Sequence, residues 1–401
     1  MSEEDRAAAT RVAIVGPGLM GLGIAQVAAR SGCQVRLAGR DESAAMAAYG
    51  RLQLALARQV ERGRTSAADA ERWLSCIAPA RHVAELGDCD IAVEAVPEDR
   101  ALKTTVLRRL ERVLAPDAVI ATNTSGLPVD GLADALHEPA RLVGLHFFSP
   151  VERMPLVEVV RGARTAPAVL ARGLAWVRAL GQHPVVVCDG PGFFTSRVFA
   201  AYLDEAIAMV GEGVEPARIE AAGRALGRVL GPLAVVDEVS LALNLQQARQ
   251  AEADGLPPRA RRLYARPVLE AMIACHRAGR RHGGGFFDDG PGGARVPWAG
   301  LASLFPPAWP QPDEETVARR LRWAEALEAL RCLAEGVVAS PVDADAASSL
   351  GLAFPGGGVM RWVQATGLAA VRRIADELAA RHGERFRFPD GLTAFSIGDP
   401  L

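Results

Sequence analysis

Lysine is almost missing from this chain: of its 45 basic side chains only one, Lys103, is not an arginine. The bias suggests a GC-rich coding background that turns lysines into arginines. The survivor then marks either a position that needs an ammonium or a chance remnant on a solvated helix face. Aromatic residues make up only 5 %, no basic cluster is interleaved with them, and the net charge is −2. Nucleic acid is therefore not an expected partner, and any anion site must be local. No apolar run approaches the roughly 18 to 20 residues of a membrane span, and the opening MSEEDRAAAT is too polar for a secretory signal. The expectations are no membrane partner and a cytoplasmic location. Six cysteines, at 33, 76, 89, 188, 275 and 332, form no CxxC pair, which fits scattered reduced thiols better than a disulfide framework or a zinc site. What remains is a chain of 401 residues, half of them hydrophobic, enough to bury two or three domain cores.

The first positive signal comes early. Arg11 to Val15 reads as a short apolar strand running into Gly16-Pro-Gly18-Leu19-Met20-Gly21, and a helix follows from about Ile24. In such a G-x-G-x-x-G loop the first glycine permits a tight turn and the second lets a pyrophosphate approach the backbone. The third lets helix pack on strand, while the helix N-terminus favours the anion. Gly16, Gly18, Leu19, Met20 and Gly21 are thus expected to cradle a dinucleotide. The next strand, Gln34 to Ala38, should end in an acidic residue that holds the adenosine ribose of NAD. Gly39 and Arg40 stand there instead. Without a carboxylate a 2′-phosphate is not repelled, and Arg40 offers it a planar fork. The expected cofactor is NAD or NADP, with NADP slightly favoured. The alternative is that Asp41 takes the ribose contact and Arg40 stays in solvent. A long helical pair then spans residues 42 to 76 around the turn Glu61-Arg62-Gly63-Arg64-Thr65.

Further along, His146 follows the apolar strand Leu142 to Leu145, at the carboxyl end where ligands gather in an open α/β sheet. Glu158 interrupts a second apolar stretch, between Val157 and Val159, and a buried carboxylate needs a partner. A neutral imidazole can take a hydroxyl proton while a carboxylate on its other nitrogen fixes the tautomer. The pair suggests a dehydrogenase with a histidine base.

The order of motifs resembles the 3-hydroxyacyl-CoA dehydrogenase family almost from end to end. It is carried by Val93-Glu94-Ala95-Val96-Pro97-Glu98 with Lys103, then Asn123-Thr-Ser125, then Gly144-Leu-His146-Phe-Phe-Ser-Pro150, then Met154-Pro-Leu-Val-Glu158-Val-Val. The resemblance implies His146 as catalytic base, Glu158 as its orienting carboxylate and Ser125 as a partner of the substrate oxygen. It places Ala95, Val96, Glu98, Lys103 and Asn123 along the cofactor, the last three around its nicotinamide end. One departure stands out. Where the family commonly has Pro-Gly-Phe-x-x-Asn-Arg, this chain reads Pro191-Gly-Phe-Phe-Thr195-Ser196-Arg197. Ser196 keeps a donor and an acceptor on a shorter stem, so it is expected to steady the same oxygen at longer reach.

The Asp189-Gly-Pro-Gly192 turn marks a boundary, and the helical sequence beyond it repeats itself. Arg197, Glu205-Ala206 and Glu212-Gly213-Val214 recur as Arg320, Glu328-Ala329 and Glu335-Gly336-Val337, each offset by 123 positions. Gly283-Gly-Gly-Phe-Phe-Asp288 resembles the ending of the family's C-terminal domain. The second copy, with Phe354-Pro355 and Arg361-Trp362, resembles the terminal domain of the bacterial multifunctional fatty-oxidation enzymes, whose enoyl-CoA hydratase portion is lacking here. The expected fold is α/β: a Rossmann-type NAD(P)-binding domain over 1–188, a first helical C-terminal domain over 189–290, a linker over 291–312 and a second copy over 313–401. A tandem copy can cover the pairing surface within one chain, so a monomer is expected. The expected activity is reversible oxidation of a (3S)-3-hydroxyacyl-CoA. A carrier-protein thioester, a dicarboxylic acyl group and a non-enzymatic nucleotide-binding relative remain as alternatives. Other β-hydroxyacid dehydrogenases use a lysine in their helical part, where this chain has none. Asn244 and Gln246 are further candidates to line an acyl channel.

Overall fold

The computed structural model describes residues 10–256 and 261–392. They fall into two compact units. One runs through Phe194 and includes Gly336–Gly351; the other comprises Thr195–Glu335 and the residues from Leu352 onward.

The first unit is built on eight strands: β1 (Arg11–Val15), β2 (Gln34–Ala38), β3 (Ile77–Pro79), β4 (Ile91–Glu94), β5 (Val119–Thr122), β6 (Leu142–Phe147), β7 (Leu156–Arg161) and β8 (His183–Cys188). They form one sheet in the order β3-β2-β1-β4-β5-β6-β7-β8. β1 to β6 are parallel, the doubly wound arrangement whose ligand crevice lies where the strand order reverses, between β1 and β4. β7 then turns back antiparallel to β6, and β8 is parallel to β7. Helices cover both faces, so the central strands are buried on both sides; every residue of β6 is buried.

Local sequence explains the helices. Asp41 caps the helix Glu42–Glu61 by accepting the Ala44 N–H at 2.7 Å, and the helix buries Ala45, Ala48, Leu52 and Leu56, one stripe at helical spacing. Asp99 likewise caps Arg100–Val113, whose buried stripe is Lys103, Leu107 and Leu110. The exposed edge of the sheet is covered from far along the chain: Val187 on β8 makes an antiparallel bridge with Val338, and the Cys188 N–H donates to the Val337 carbonyl at 2.8 Å. This is why residues 336–351 group with the sheet rather than with the helices around them.

The second unit is mostly helical, with a core that includes Tyr202, Ile207, Leu233, Leu269, Phe286 and Leu321. Its helix Pro232–Val239 is stapled to the strand Phe287–Asp289 through Asp237, whose two carboxylate oxygens accept the N–H groups of Phe286 and Phe287 at 2.8 and 2.9 Å. Two long helices, Thr195–Gly211 and Glu314–Ala334, exchange ion pairs reciprocally. Arg197 reaches Glu328 and Glu335, while Arg320 reaches Glu205 and Glu212. Both helices are followed by a left-handed glycine, Gly213 and Gly336. Among the described residues no helix is long and apolar enough to cross a membrane.

Candidate active site

At the carboxyl ends of β1 and β4 the loop after β1 fits a dinucleotide on steric grounds. Gly16 has φ +102°, and a Cβ there would lie 2.6 Å from the backbone of Ala95 and Val96, so only glycine permits this turn. Nothing lies within 4 Å of a Cβ placed on Gly18, which leaves the backbone open to a phosphate. Leu19 and Met20 open the helix Leu19–Arg30, whose first turn carries no acidic residue. Leu19 is 76 % exposed, a large apolar side chain free to lie along a ligand. At the end of β2, Gly39 and Arg40 are placed as the strand reading required. A Cβ on Gly39 would meet Ala44 Cβ at 2.8 Å and Ala45 N at 2.9 Å, so the helix start leaves no room for a ribose-binding carboxylate. The Arg40 side chain is 89 % exposed and leans on Asp41 at 3.3 Å.

The loop after β4 is held from beneath. Lys103 is buried and donates to both oxygens of the equally buried Glu94, at 3.0 and 3.2 Å, and to the Val96 carbonyl at 3.2 Å. Glu94 also accepts from the Val96 N–H and from the Thr122 hydroxyl, both at 2.7 Å. Glu98 lies 3.3 Å from Lys103 and accepts the Thr124 hydroxyl and the N–H groups of Ser125 and Gly126. The single lysine is therefore not on a solvated face; it neutralises two carboxylates and ties the ends of β4 and β5 together. Sequence reading quoted Glu94 but gave it no role. Its signal was a carboxylate ending the otherwise apolar strand Ile91–Glu94 with a lysine nine residues on.

The antiparallel return of β7 sets the remaining geometry. Its register places Glu158 directly opposite His146, on the same face of the sheet. His146 Nδ1 lies 2.7 Å from Glu158 Oε2, with His146 only 4 % exposed and Glu158 fully buried. A carboxylate can only accept, so Nδ1 carries the proton and Nε2 offers a lone pair. The other oxygen of Glu158 accepts the Phe194 N–H at 3.2 Å. That N–H is aimed by a left-handed pair, Gly192 at φ +76° and Phe193 at φ +49°, and the second value is strained for a bulky residue. The Phe193 and Phe148 rings lie 5.9 and 4.4 Å from the imidazole, centroid to centroid. Asn123 is buried at the end of β5 and accepts the Phe147 N–H at 2.9 Å, fixing the residue after the histidine. Ser125, one turn of loop away, is exposed. Asp189, where the chain leaves β8, accepts the N–H groups of Val129 and Asp130; burial pushes its carboxyl above the usual value while those bonds oppose the rise.

The first unit thus brings together the glycine loop, Ala95, Val96, Glu98, Lys103, Asn123, Ser125, His146 and Glu158. Ser196 lies in the first turn of Thr195–Gly211 in the second unit and is half-buried. Asn244 is buried and engaged with Ser240 and Arg262, whereas Gln246 lines a separate cavity of about 350 Å³ with Ala242, Leu245 and Ile273. The described residues hold no cluster of metal-ligating side chains.

Two family models and several solved structures match the chain. Residues 11–190 match the model of the 3-hydroxyacyl-CoA dehydrogenase NAD binding domain, and residues 192–289 that of the 3-hydroxyacyl-CoA dehydrogenase C-terminal domain. Among solved structures, 3-hydroxybutyryl-CoA dehydrogenase from Escherichia coli K12 is 26 % identical over 95 % of this chain and 97 % of its own, with a TM-score of 0.80. FadB2 of M. tuberculosis is 34 % identical over 70 % of this chain and 98 % of its own, with a TM-score of 0.64. (S)-3-hydroxybutyryl-CoA dehydrogenase from Ralstonia eutropha is 30 % identical over 69 % and 97 %, with a TM-score of 0.65.

Proposed function

Because the chain belongs to the 3-hydroxyacyl-CoA dehydrogenase family, and is a nicotinamide-dependent oxidoreductase interconverting (3S)-3-hydroxyacyl-CoA and 3-oxoacyl-CoA, we propose that His146 is its base and Glu158 the carboxylate that orients it. The observation carrying this assignment is the 2.7 Å contact between Nδ1 and a fully buried carboxylate in paired register. With Nδ1–H held by Glu158, Nε2 takes the proton of the substrate hydroxyl. The imidazolium so formed is stabilised at short range where little water competes. The bound nicotinamide supplies the hydride acceptor. Ser125 donates to the oxygen as it becomes a carbonyl, and Ser196 keeps a hydroxyl at the position where the family commonly has asparagine. Glu98, partly exposed, faces the cofactor crevice; Lys103 and Asn123 act on it indirectly, by fixing the β4 and β5 loops.

For the cofactor, Gly39 and Arg40 support NADP as accepted and preferred over NAD. The two relatives named for 3-hydroxybutyryl-CoA make a short acyl chain the first substrate to try. The test is acetoacetyl-CoA reduction with NADH and NADPH in parallel, for the wild type and His146→Ala. Turnover that survives in the variant at near the wild-type rate defeats the assignment of the base, and a faster rate with NADH defeats the cofactor preference.

A further inference from the structure

Arg51 lies beside the glycine loop, and its charge has no part in the His146–Glu158 pair or in the Lys103 cluster. It stands on the helix Glu42–Glu61, one position before the buried Leu52, and its Nη2 donates to the Pro17 carbonyl at 2.9 Å. No carboxylate pairs with it among the described residues, and its bond to Pro17 is to a neutral carbonyl. Its position is specific. The Gly16 N–H donates to the Ala38 carbonyl at 3.0 Å, so the residues that follow each, Pro17 and Gly39, leave the sheet side by side. The Arg51 guanidinium, bound to Pro17, therefore stands by the strand end where the acidic residue is missing.

We propose that Arg51 is a specificity-determining residue, a second guanidinium that with Arg40 receives a phosphate monoester on the adenosine ribose. Two forks with a weak carboxylate contact at one and none at the other suit a dianion, and Gly39 offers it no repulsion. Asp41 does not compete well for the role, since its Oδ1 is already committed to the helix cap. The guanidinium has only to exchange one neutral carbonyl for phosphate oxygens. The inference rests on the proposed NADP preference and names the residue that completes it.

The experiment is calorimetric titration of the full chain with adenosine 2′,5′-bisphosphate and with 5′-AMP, which differ only in the 2′-phosphate. The wild type should bind the bisphosphate more tightly, and Arg51→Gln should erase about tenfold or more of that preference, as expected for a charge-assisted hydrogen bond, while 5′-AMP binding changes little. Arg51→Lys should restore part of it, and melting curves establish that the variants fold. A wild type without preference sinks the NADP reading, and this proposal with it. A wild-type preference that Arg51→Gln leaves intact, or an equal loss for both ligands, overturns the role of Arg51 alone and leaves it an anchor of the glycine loop.

Discussion

At the scale of single residues the site turns on two buried charges held by opposite means. Glu158 is kept ready to accept the Nδ1 proton, so Glu158→Gln should leave the fold intact while presenting an amide that can donate to the same nitrogen and favour the wrong tautomer. A fall in kcat on the order of 10²- to 10⁴-fold is expected, with dinucleotide binding unchanged by titration; a kcat within a factor of three of wild type would remove the orienting role. Lys103 works in the other direction, neutralising Glu94 and Glu98. Lys103→Met should destabilise the first unit by about 3 to 5 kcal/mol, since it strands a buried carboxylate, and denaturant unfolding will measure it. A cost below about 1 kcal/mol would mean that Glu94 is satisfied by its Thr122 and Val96 bonds alone. Both residues were visible in the sequence, and Lys103 more so than its scarcity suggested. It falls four and seven positions before Leu107 and Leu110, which puts it on the inward stripe of its helix. What the sequence did not show is the partner, because nothing local says that the helix packs under the end of β4.

At the scale of elements, β7 and the turn after β8 position the chemistry. The alternation of apolar strands and helices was enough to read a doubly wound sheet, but a strand buried on both faces carries no mark of its direction. The antiparallel return, on which the facing of His146 and Glu158 depends, therefore had to come from the structure. The Gly192–Phe193 turn was likewise read as punctuation, although it delivers both an amide to Glu158 and a ring to His146. Phe193→Ala should lower kcat several-fold, because a ring packed beside the imidazole is lost; Phe193→Gly, free at positive φ, should keep the amide bond and suffer less in stability. Equal behaviour of the two would mean that the strain at Phe193 has no consequence. In the second unit the staple at Asp237 makes a pH prediction. Burial pushes its carboxyl up to about 6 from 3.8, against the opposing pull of two amides. Between these values the folded chain binds more protons than the unfolded one, so this group's contribution to stability falls as pH rises through that window, by at most about 3 kcal/mol, and is level above it. Melting from pH 4 to 6.5 should show a steeper decline for the wild type than for Asp237→Asn; parallel curves would rule the group out.

At the scale of the molecule, we propose that Thr195–Gly211 and Glu314–Ala334 are copies of one another. The support is that the residues matched at an offset of 123 are the ones that exchange ion pairs, Arg197 with Glu328 and Glu335 and Arg320 with Glu205 and Glu212. An isologous interface has this form, with residue i meeting j and j meeting i. Here both sides belong to one chain. The FadB2 and R. eutropha structures match about 70 % of this chain with nearly all of their own length, whereas the E. coli enzyme matches 95 %, which fits an added copy shared with the latter. Sedimentation at micromolar concentration should then give a single chain, and a stable dimer would count against internal pairing. Arg197→Ala and Arg320→Ala should each destabilise the second unit, with the losses limited because Arg331 also reaches Glu328 and Arg385 also reaches Glu205 and Glu212. The sequence offset pointed to a repeat but not to how its copies would pair, since buried Arg and Glu on a helix read as a solvated face until a second helix is set against them. The bridge from Val187 to Val338 has a consequence for synthesis. As the chain leaves the ribosome the sheet is complete once β8 has emerged, yet its edge has no cover until the segment around Val338 follows. Until then the nascent protein offers an unpaired apolar edge of the kind that recruits other strands. A chain stopped between Gly290 and Glu335 should therefore aggregate even though every residue of the dehydrogenase sheet is present.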